Sequence, residues 1–302
     1  LEPNEAIRLI EKNHKNKDSL FPYLNGENLN TNPDQSPSRW VINFFDWPEE
    51  KCRKEYPDCF EIIERLVKPE RQRRDEKGNY VLRKPLPEKW WIYADKRPAL
   101  YRTIKPLERV IAVSEVTMYC IFNFTLKNIV YMHTLKIIAE DTCTFFTLLS
   151  SSLHELWAWK YSSTMGGVGL RYTPSSAYET FPFPQNLTFE IAQMLEKTGE
   201  EYHEHRRQLM LQLQLGLTKT YNQFHNKHLA VINGELPEKE LEKKYAKETL
   251  NLRNHLRKTG NTCSFNEAVE DIFELRRLHK EMDETVLKAY GWPDVNLAHD
   301  FN

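Results

Sequence analysis

Residues 141–184 read DTCTFFTLLSSSLHELWAWKYSSTMGGVGLRYTPSSAYETFPFP, and how this stretch divides decides the fold. Asp141 is placed to cap a helix by accepting a hydrogen bond from an orphan backbone N–H. Phe145, Leu149, Leu153, Leu156 and Trp157 then recur at three- and four-residue spacing. That spacing predicts one helix over 142–161, with Leu153 and Trp157 on its buried face. The helix is expected to stop in SSTMGGVG, where Gly166, Gly167 and Gly169 make continuation costly. Leu170-Arg171-Tyr172 reads as a short extended piece. Thr173-Pro174 restarts a helical turn, with Thr as N-cap and Pro at the first helical position. Phe181-Pro182-Phe183-Pro184 is a rigid, extended, apolar exit. The expected result is a buried helix presenting a glycine loop beside Arg171 and Tyr172, an arrangement that suits a large partner.

Beyond the FPFP exit the periodicity changes. Ile191, Leu195, Thr198, Tyr202, His205 and Leu209 follow a four-three spacing, and so do Ala268, Ile272, Leu275, His279, Met282, Val286 and Ala289. Such spacing predicts two long helices packed through a narrow seam. A short helix over LTKTYNQFH and a charged one from Pro237 to Lys258 are expected between them. Upstream, residues 109–139 read as a β-meander of four short runs rich in Val, Ile, Tyr and Phe. Arg39 to Phe45 is a further strand candidate. The fold class is therefore α+β. A mixed α/β domain with a curved sheet should occupy 1–187, and a helical domain with long antiparallel helices 188–302.

The chain has 302 residues, 40% of them hydrophobic and 28% charged, with a formal net charge of −1. These are ordinary values for a globular protein with a real core. They exclude a chain whose overall charge announces a polyanionic partner. No apolar run approaches a membrane span, and no signal peptide is visible. The first residue is Leu1 rather than a methionine, so an excised fragment of something longer is expected. Five scattered cysteines without a C-x-x-C pair fit a reduced, cytoplasmic protein.

Charge is nonetheless unevenly spread. Residues 65–109 hold fourteen cations against six anions, a net of +8, interleaved with Trp90, Trp91, Tyr93 and Tyr101. A basic stripe with aromatics is an electrostatic footprint for nucleic acid; it is equally a solvated face around an exposed loop. Arg71, Arg73 and Arg74 are its densest cluster and the expected phosphate anchors.

No catalytic constellation is visible. The chain has no phosphate-loop motif and no G-x-S-x-G elbow. Gly166-Gly167-Val168-Gly169 follows a helix and lacks dinucleotide-binding context. His154-Glu155 begins like a zinc-protease helix, but Ala158 stands where a second histidine is needed. His203 and His205 fall on different faces of a helix, and His225 and His228 have no evident third ligand. Pro57-Asp58 lacks the partner carboxylate and lysine of a metal-dependent nuclease. No metal site and no catalytic residue is assigned.

Six stretches carry a resemblance: LFPYLNGENLNTNPDQSPSRWVINFFDWP, LHELWAWKY, LRYTPSSAYETFPFP, EYHEHRRQLM, GLTKTYNQFH and AYGWPDVNL. Together they resemble the carboxy-terminal region of single-polypeptide restriction–modification enzymes and related adenine-N6 DNA methyltransferases of bacteria, the type IIG kind. The resemblance runs from about Glu2 to Asn302. It implies a DNA target-recognition domain that follows the methyltransferase domain of the same chain, with double-stranded DNA as partner. It places the S-adenosylmethionine pocket and the Asn-Pro-Pro-Tyr loop upstream, with Mg as a second candidate cofactor there and none in this stretch. The parent would be a site-specific adenine methyltransferase, with or without an endonuclease.

A recognition domain must hold phosphates for register and read base edges for sequence. Glu115, Thr117, His133, Lys136 and Arg171 are the expected base readers, with Arg39, Lys105 and Tyr172 in support. Polar side chains in the otherwise apolar 109–139 segment should cost stability unless they face water or a ligand. Glu115 fits either case. Two other readings stay open. A metal-dependent nuclease would cleave DNA when metal is added, and a helical protein-interaction module would bind a protein and no DNA.

Overall fold

A computed structural model describes residues 1–166, 169–232, 234, 237–299 and 301. The chain opens with helix α1 (Pro3–Lys12), strand β1 (Leu20–Leu24), helix α2 (Gly26–Thr31) and strand β2 (Arg39–Ile42). Helices α3 (Glu49–Glu55), α4 (Pro57–Leu66), α5 (Lys68–Arg71) and α6 (Pro98–Ile104) follow. Then come strands β3 (Arg109–Ser114), β4 (Val116–Thr117), β5 (Asn123–Leu126), β6 (Val130–Tyr131) and β7 (Leu135–Ile138). Helices α7 (Cys143–Ser150) and α8 (Ser152–Tyr161), strands β8 (Ser163–Met165) and β9 (Gly169–Arg171), and helix α9 (Pro174–Ala177) complete the mixed part. After Thr188 the described residues hold helices and no strand: α10 (Phe189–Leu213), α11 (Leu217–Phe224), α12 (Glu238–Lys244), α13 (Lys247–Thr259) and α14 (Phe265–Ala289). The fold is α+β.

Two compact units share this chain. One takes residues 1–25, 37–106 and 126–133, and the other 26–36, 107–125 and 134–302. The expected boundary at 187/188 therefore falls inside the second unit. The first unit is built on a three-stranded sheet in which β1 pairs antiparallel with β2 and parallel with β6. Its core gathers Leu20, Phe44, Tyr56, Phe60, Ile63 and Trp90 with Cys52 and Cys59. Ring-on-ring packing tightens it, with Trp47 stacked on Tyr56 at 5.0 Å and Phe60 edge-on to Trp90 at 5.4 Å.

The 109–139 segment is not one meander. Its strands are distributed over three sheets, β2-β1-β6, β5-β3-β7 and β4-β9-β8. The reason shows in β3, where Val110 to Ser114 are all buried. Both faces of the strand are covered, so the alternation expected of a half-solvated meander does not operate.

The 142–161 helix is two helices. Thr142, not Asp141, caps α7 by accepting from Phe145 N at 3.3 Å. Asp141 instead accepts from Arg109 Nε through its backbone oxygen at 2.9 Å. Ser151 is extended; its hydroxyl donates to Leu148 O at 2.7 Å and accepts from His154 N at 3.3 Å, ending one helix and starting the next. Serine side chains compete with the helical backbone in this way, and the break rotates the apolar face. His154 and Ala158 are buried, Leu153 and Trp157 are half-buried, and Leu156 is 63% exposed. The single buried face read from spacing is thus corrected.

The long-helix pair agrees with its spacing. Leu195 meets Val286, Tyr202 meets His279 at 5.5 Å, and His205 Nε2 lies 2.8 Å from Asp271 O. Residue numbers rise along α10 as they fall along α14, so the pair is antiparallel. A capping box between Ser264 and Glu267 starts α14. Glu196 on α10 caps α7 from outside, accepting from Cys143 N at 3.1 Å and Thr144 N at 2.7 Å. Burial alone would raise its carboxyl; these donors outweigh it and hold the pKa down. Deeper along α10, Arg206 is 2% exposed and donates to Phe122 O at 2.8 Å, Asn123 Oδ1 at 2.9 Å and the Tyr221 hydroxyl at 3.2 Å.

Gly199 lets α7 and α10 touch. A Cβ there would sit 2.1 Å from Thr147 Oγ1 and 2.7 Å from Cys143 O. Thr147 cannot move aside cheaply, because its hydroxyl is buried on Cys143 O at 2.7 Å and Leu195 O at 2.8 Å. In an exposed helix Gly→Ala stabilises by about 1 kcal/mol. At Gly199 the sign should reverse, with a loss of about 1–3 kcal/mol from overpacking. Urea unfolding of Gly199→Ala checks it; unchanged or increased stability would show that the helices part freely.

Candidate nucleic-acid interface

Three of the expected base readers meet in the second unit. Glu115 is the single residue between β3 and β4. Its N–H donates to Thr134 O at 2.7 Å, and its carbonyl accepts from Tyr172 N at 2.7 Å. The backbone is thereby fixed from both sides. Across the β3–β7 ladder Lys136 lies opposite Val113, and across the β4–β9 ladder Arg171 lies opposite Val116. Those registers aim both cations at Glu115. Arg171 Nε donates to Oε1 at 3.0 Å, and Lys136 Nζ lies 3.1 Å from Oε2.

Burial would raise the Glu115 carboxyl, but Lys136 and Arg171 outweigh it and hold its pKa below the usual value. The carboxylate is therefore a fixed anion between two cations. Its side chain is 16% exposed, against 57% for Arg171. Only Nε of Arg171 is engaged; among the described residues its two terminal nitrogens have no protein partner. An arginine held by one nitrogen offers the rest of its donor fork in a set direction. Thr117 is half-buried, and its hydroxyl donates to Tyr119 O at 2.7 Å.

Tyr172 is not a contact residue. It is 1% exposed, packs edge-on to Phe122 at 5.5 Å, and pairs its hydroxyl with His154 Nε2 at 3.0 Å. Burial pushes its phenol pKa up. Strand alternation explains the correction: Leu170 and Tyr172 face the core, so Arg171 between them faces out. Arg171 lies in strand β9, in the short extended piece expected there. It pairs with Ser163 of β8, and Met165 pairs with Gly169 across the same hairpin. Of the expected glycine loop, Gly167 and Val168 lie outside the described residues. Ser163 and Thr164 are exposed beside Arg171. In sequence they read only as a helix stop, because no local signal marks them as a strand.

The remaining candidates belong to the first unit. Arg39 is exposed at the start of β2, Lys105 is exposed at the end of α6, and His133 is exposed. Arg71 is half-buried and donates to Ile92 O at 2.6 Å, with burial lowering its pKa. It braces a loop rather than facing a phosphate. Arg73 and Arg74 are exposed, with the Arg74 guanidinium 4.1 Å above the Tyr80 ring.

A polar cluster elsewhere in the second unit superficially suggests catalysis. Ser152 Oγ lies 3.1 Å from His279 Nε2, and Asp283 is close by. However, the hydroxyl sits 2.6 Å from Asp283 Oδ2, and Ser152 N donates to Oδ1 at 2.8 Å. The serine proton is directed at the aspartate, which also caps α8. His299 Nε2 completes the set 2.8 Å from Asp283 Oδ2. This is how a buried carboxylate is satisfied, not how a serine is activated. Among the described residues no three His, Cys, Asp or Glu side chains are grouped to hold a metal ion. No described helix is long and apolar enough to cross a membrane.

No protein-family model and no curated protein matches the chain. Among solved structures it is similar to the type IIL restriction-modification enzyme MmeI, determined in complex with DNA, with a TM-score of 0.57 at 13% identity. The likeness covers 99% of this chain and 31% of that one, so the chain spans about a third of the length of the protein it matches. At this identity what is shared is the fold.

Proposed function

We propose that this chain is the DNA target-recognition region of a bacterial restriction–modification enzyme. Its sequence reading would be centred on Arg171, oriented by Glu115 and flanked by Lys136. The observation that carries the reading is the Arg171 fork, positioned by a charged, half-buried carboxylate and open at both terminal nitrogens. That is the donor pattern that pairs with guanine O6 and N7 in a major groove. The fold likeness to a restriction-modification enzyme solved with DNA supports it. Arg39, Arg73, Arg74 and Lys105, all exposed, are the proposed phosphate contacts. Methyl transfer to adenine N6, S-adenosylmethionine and any Mg-dependent cleavage would belong to an upstream part of a type IIG-like polypeptide.

Selection of bound duplexes from a random pool tests this. Arg171→Ala should relax one position of the selected sequence, with a discrimination loss of about 1–3 kcal/mol there and strict reading elsewhere. Arg73→Gln with Arg74→Gln should weaken binding to every sequence alike, lowering the log–log salt slope by about 0.9 for each phosphate no longer neutralised. Absence of salt-sensitive duplex binding would defeat the proposal. A uniform loss in Arg171→Ala with an unchanged motif would remove Arg171 from base reading.

A further inference from the structure

In the first unit, every residue from Arg73 to Pro85 is exposed, yet the segment is ordered by its own hydrogen bonds. Arg74 and Tyr80 form an antiparallel bridge, Val81 N donates to Arg73 O at 3.0 Å, and Asp75 N donates to Asn79 O at 2.8 Å. Asp75 Oδ1 closes the turn, accepting from Lys77 N at 2.9 Å and Asn79 N at 2.8 Å, and Gly78 takes the positive φ of 80°. The base is braced by Arg71 on Ile92 O and by Gln72 Nε2 on Pro87 O at 3.1 Å. The result is a surface finger held by its own hydrogen bonds, with no fully buried residue from Arg73 to Pro85.

Its composition is as unusual as its exposure. Tyr80, Val81 and Leu82 are consecutive and 38%, 45% and 36% exposed. Around them stand Arg73, Arg74, Lys77, Arg83 and Lys84 against Asp75 and Glu76, a net of +3 within thirteen residues. A contiguous exposed apolar run on an ordered element marks an interaction site. The cations flanking it select a polyanion, and a duplex groove offers phosphates on both sides of an apolar base stack.

We infer that this finger is a wedge for duplex DNA, with Val81 and Leu82 entering a groove against the base pairs while Arg73, Arg74 and Arg83 hold the phosphates on either side. The inference rests on the DNA-recognition reading and adds to it a deformation of the duplex. Apolar wedges that part base steps bend DNA by about 20–90°.

The experiment uses the full chain and duplexes selected on it from a random pool, labelled at the two ends with donor and acceptor dyes. The parent should shorten the end-to-end distance on binding. Val81→Ser with Leu82→Ser should keep the salt slope and the selected sequence while the shortening disappears; because both side chains are exposed, its melting temperature should match the parent. Arg73→Gln with Arg74→Gln should lower the salt slope. A Ser/Ser variant that still bends DNA like the parent, or a parent that binds without bending, overturns the wedge and leaves the recognition proposal standing. A parent that binds no duplex at all overturns both.

Discussion

Lowering the pH from 6.5 to about 4.5 is expected to remove about 2–5 kcal/mol of stability from the second unit, at no more than about 1.4 kcal/mol per pH unit for each of two neutral histidines, one buried and one partly buried. His154 is fully buried, edge-on to Phe181 at 4.5 Å and Phe122 at 5.5 Å. Burial lowers its pKa from 6.5 to about 3. His203 lies against Phe124 and Phe146, and burial, helped by nearby Arg206 and Arg109, likewise lowers it to about 3. The folded state keeps both rings neutral while the unfolded chain protonates them near 6.5. Below that pH the unfolded state binds more protons, so stability falls until about pH 3, where the folded rings also titrate. The His203 share should be the smaller, because that residue is only partly buried. Thermal melts across this range should show the decline. His154→Phe, which keeps an aromatic edge against Phe181, should flatten the slope by one proton. A melting temperature flat from pH 6.5 to 4.5 would show that water reaches these rings.

Arg206→Met is expected to cost about 3 kcal/mol or more, since the buried acceptors it leaves without a donor cost about 1–3 kcal/mol each. The acceptors are Phe122 O and Asn123 Oδ1, with Tyr221 losing a neighbour as well. Removing the buried charge recovers some desolvation energy, so methionine should be no worse than lysine, which keeps the charge but not the fork. Denaturant unfolding of both variants decides it. Equal stability of Arg206→Lys and the parent would show that the fork geometry is irrelevant.

The legible parts of this fold are those with local signals. Leu195, Tyr202 and Leu209, with Ile272, Met282 and Val286, sit in the seam that their spacing predicts, because helix periodicity is carried by near neighbours in sequence. Glu115 stands out in sequence as a charge among strand residues, and its position beside Lys136 and Arg171 gives that anomaly a cause. Strand partners are not legible. Val130 pairs with Tyr23 and Val116 with Arg171, and no short-range pattern encodes such distant pairings. Tyr172 is misjudged for a related reason, since sequence reveals extended backbone but not which of its faces is covered. The Ser151 break is hidden because three serines in a row still permit a helix by propensity alone.

The interleaving of the two units has a consequence in time. All of the first unit lies within residues 1–133, so it can close as soon as that length has emerged from a ribosome. Helix α2 lies inside that length but belongs to the second unit, packed against β3 and α11. Its Thr31 backbone lies so close to Gly216 that a Cβ there would be 2.3 Å from Thr31 O. Gly216 is made 185 residues after Thr31, a delay of about 10–40 s at bacterial synthesis rates. Throughout that interval helix α2, whose Leu29 is fully buried in the finished protein, lacks its neighbour α11. The nascent chain therefore carries helix α2, whose one apolar side chain is Leu29, for all of that time before its distant partner is made.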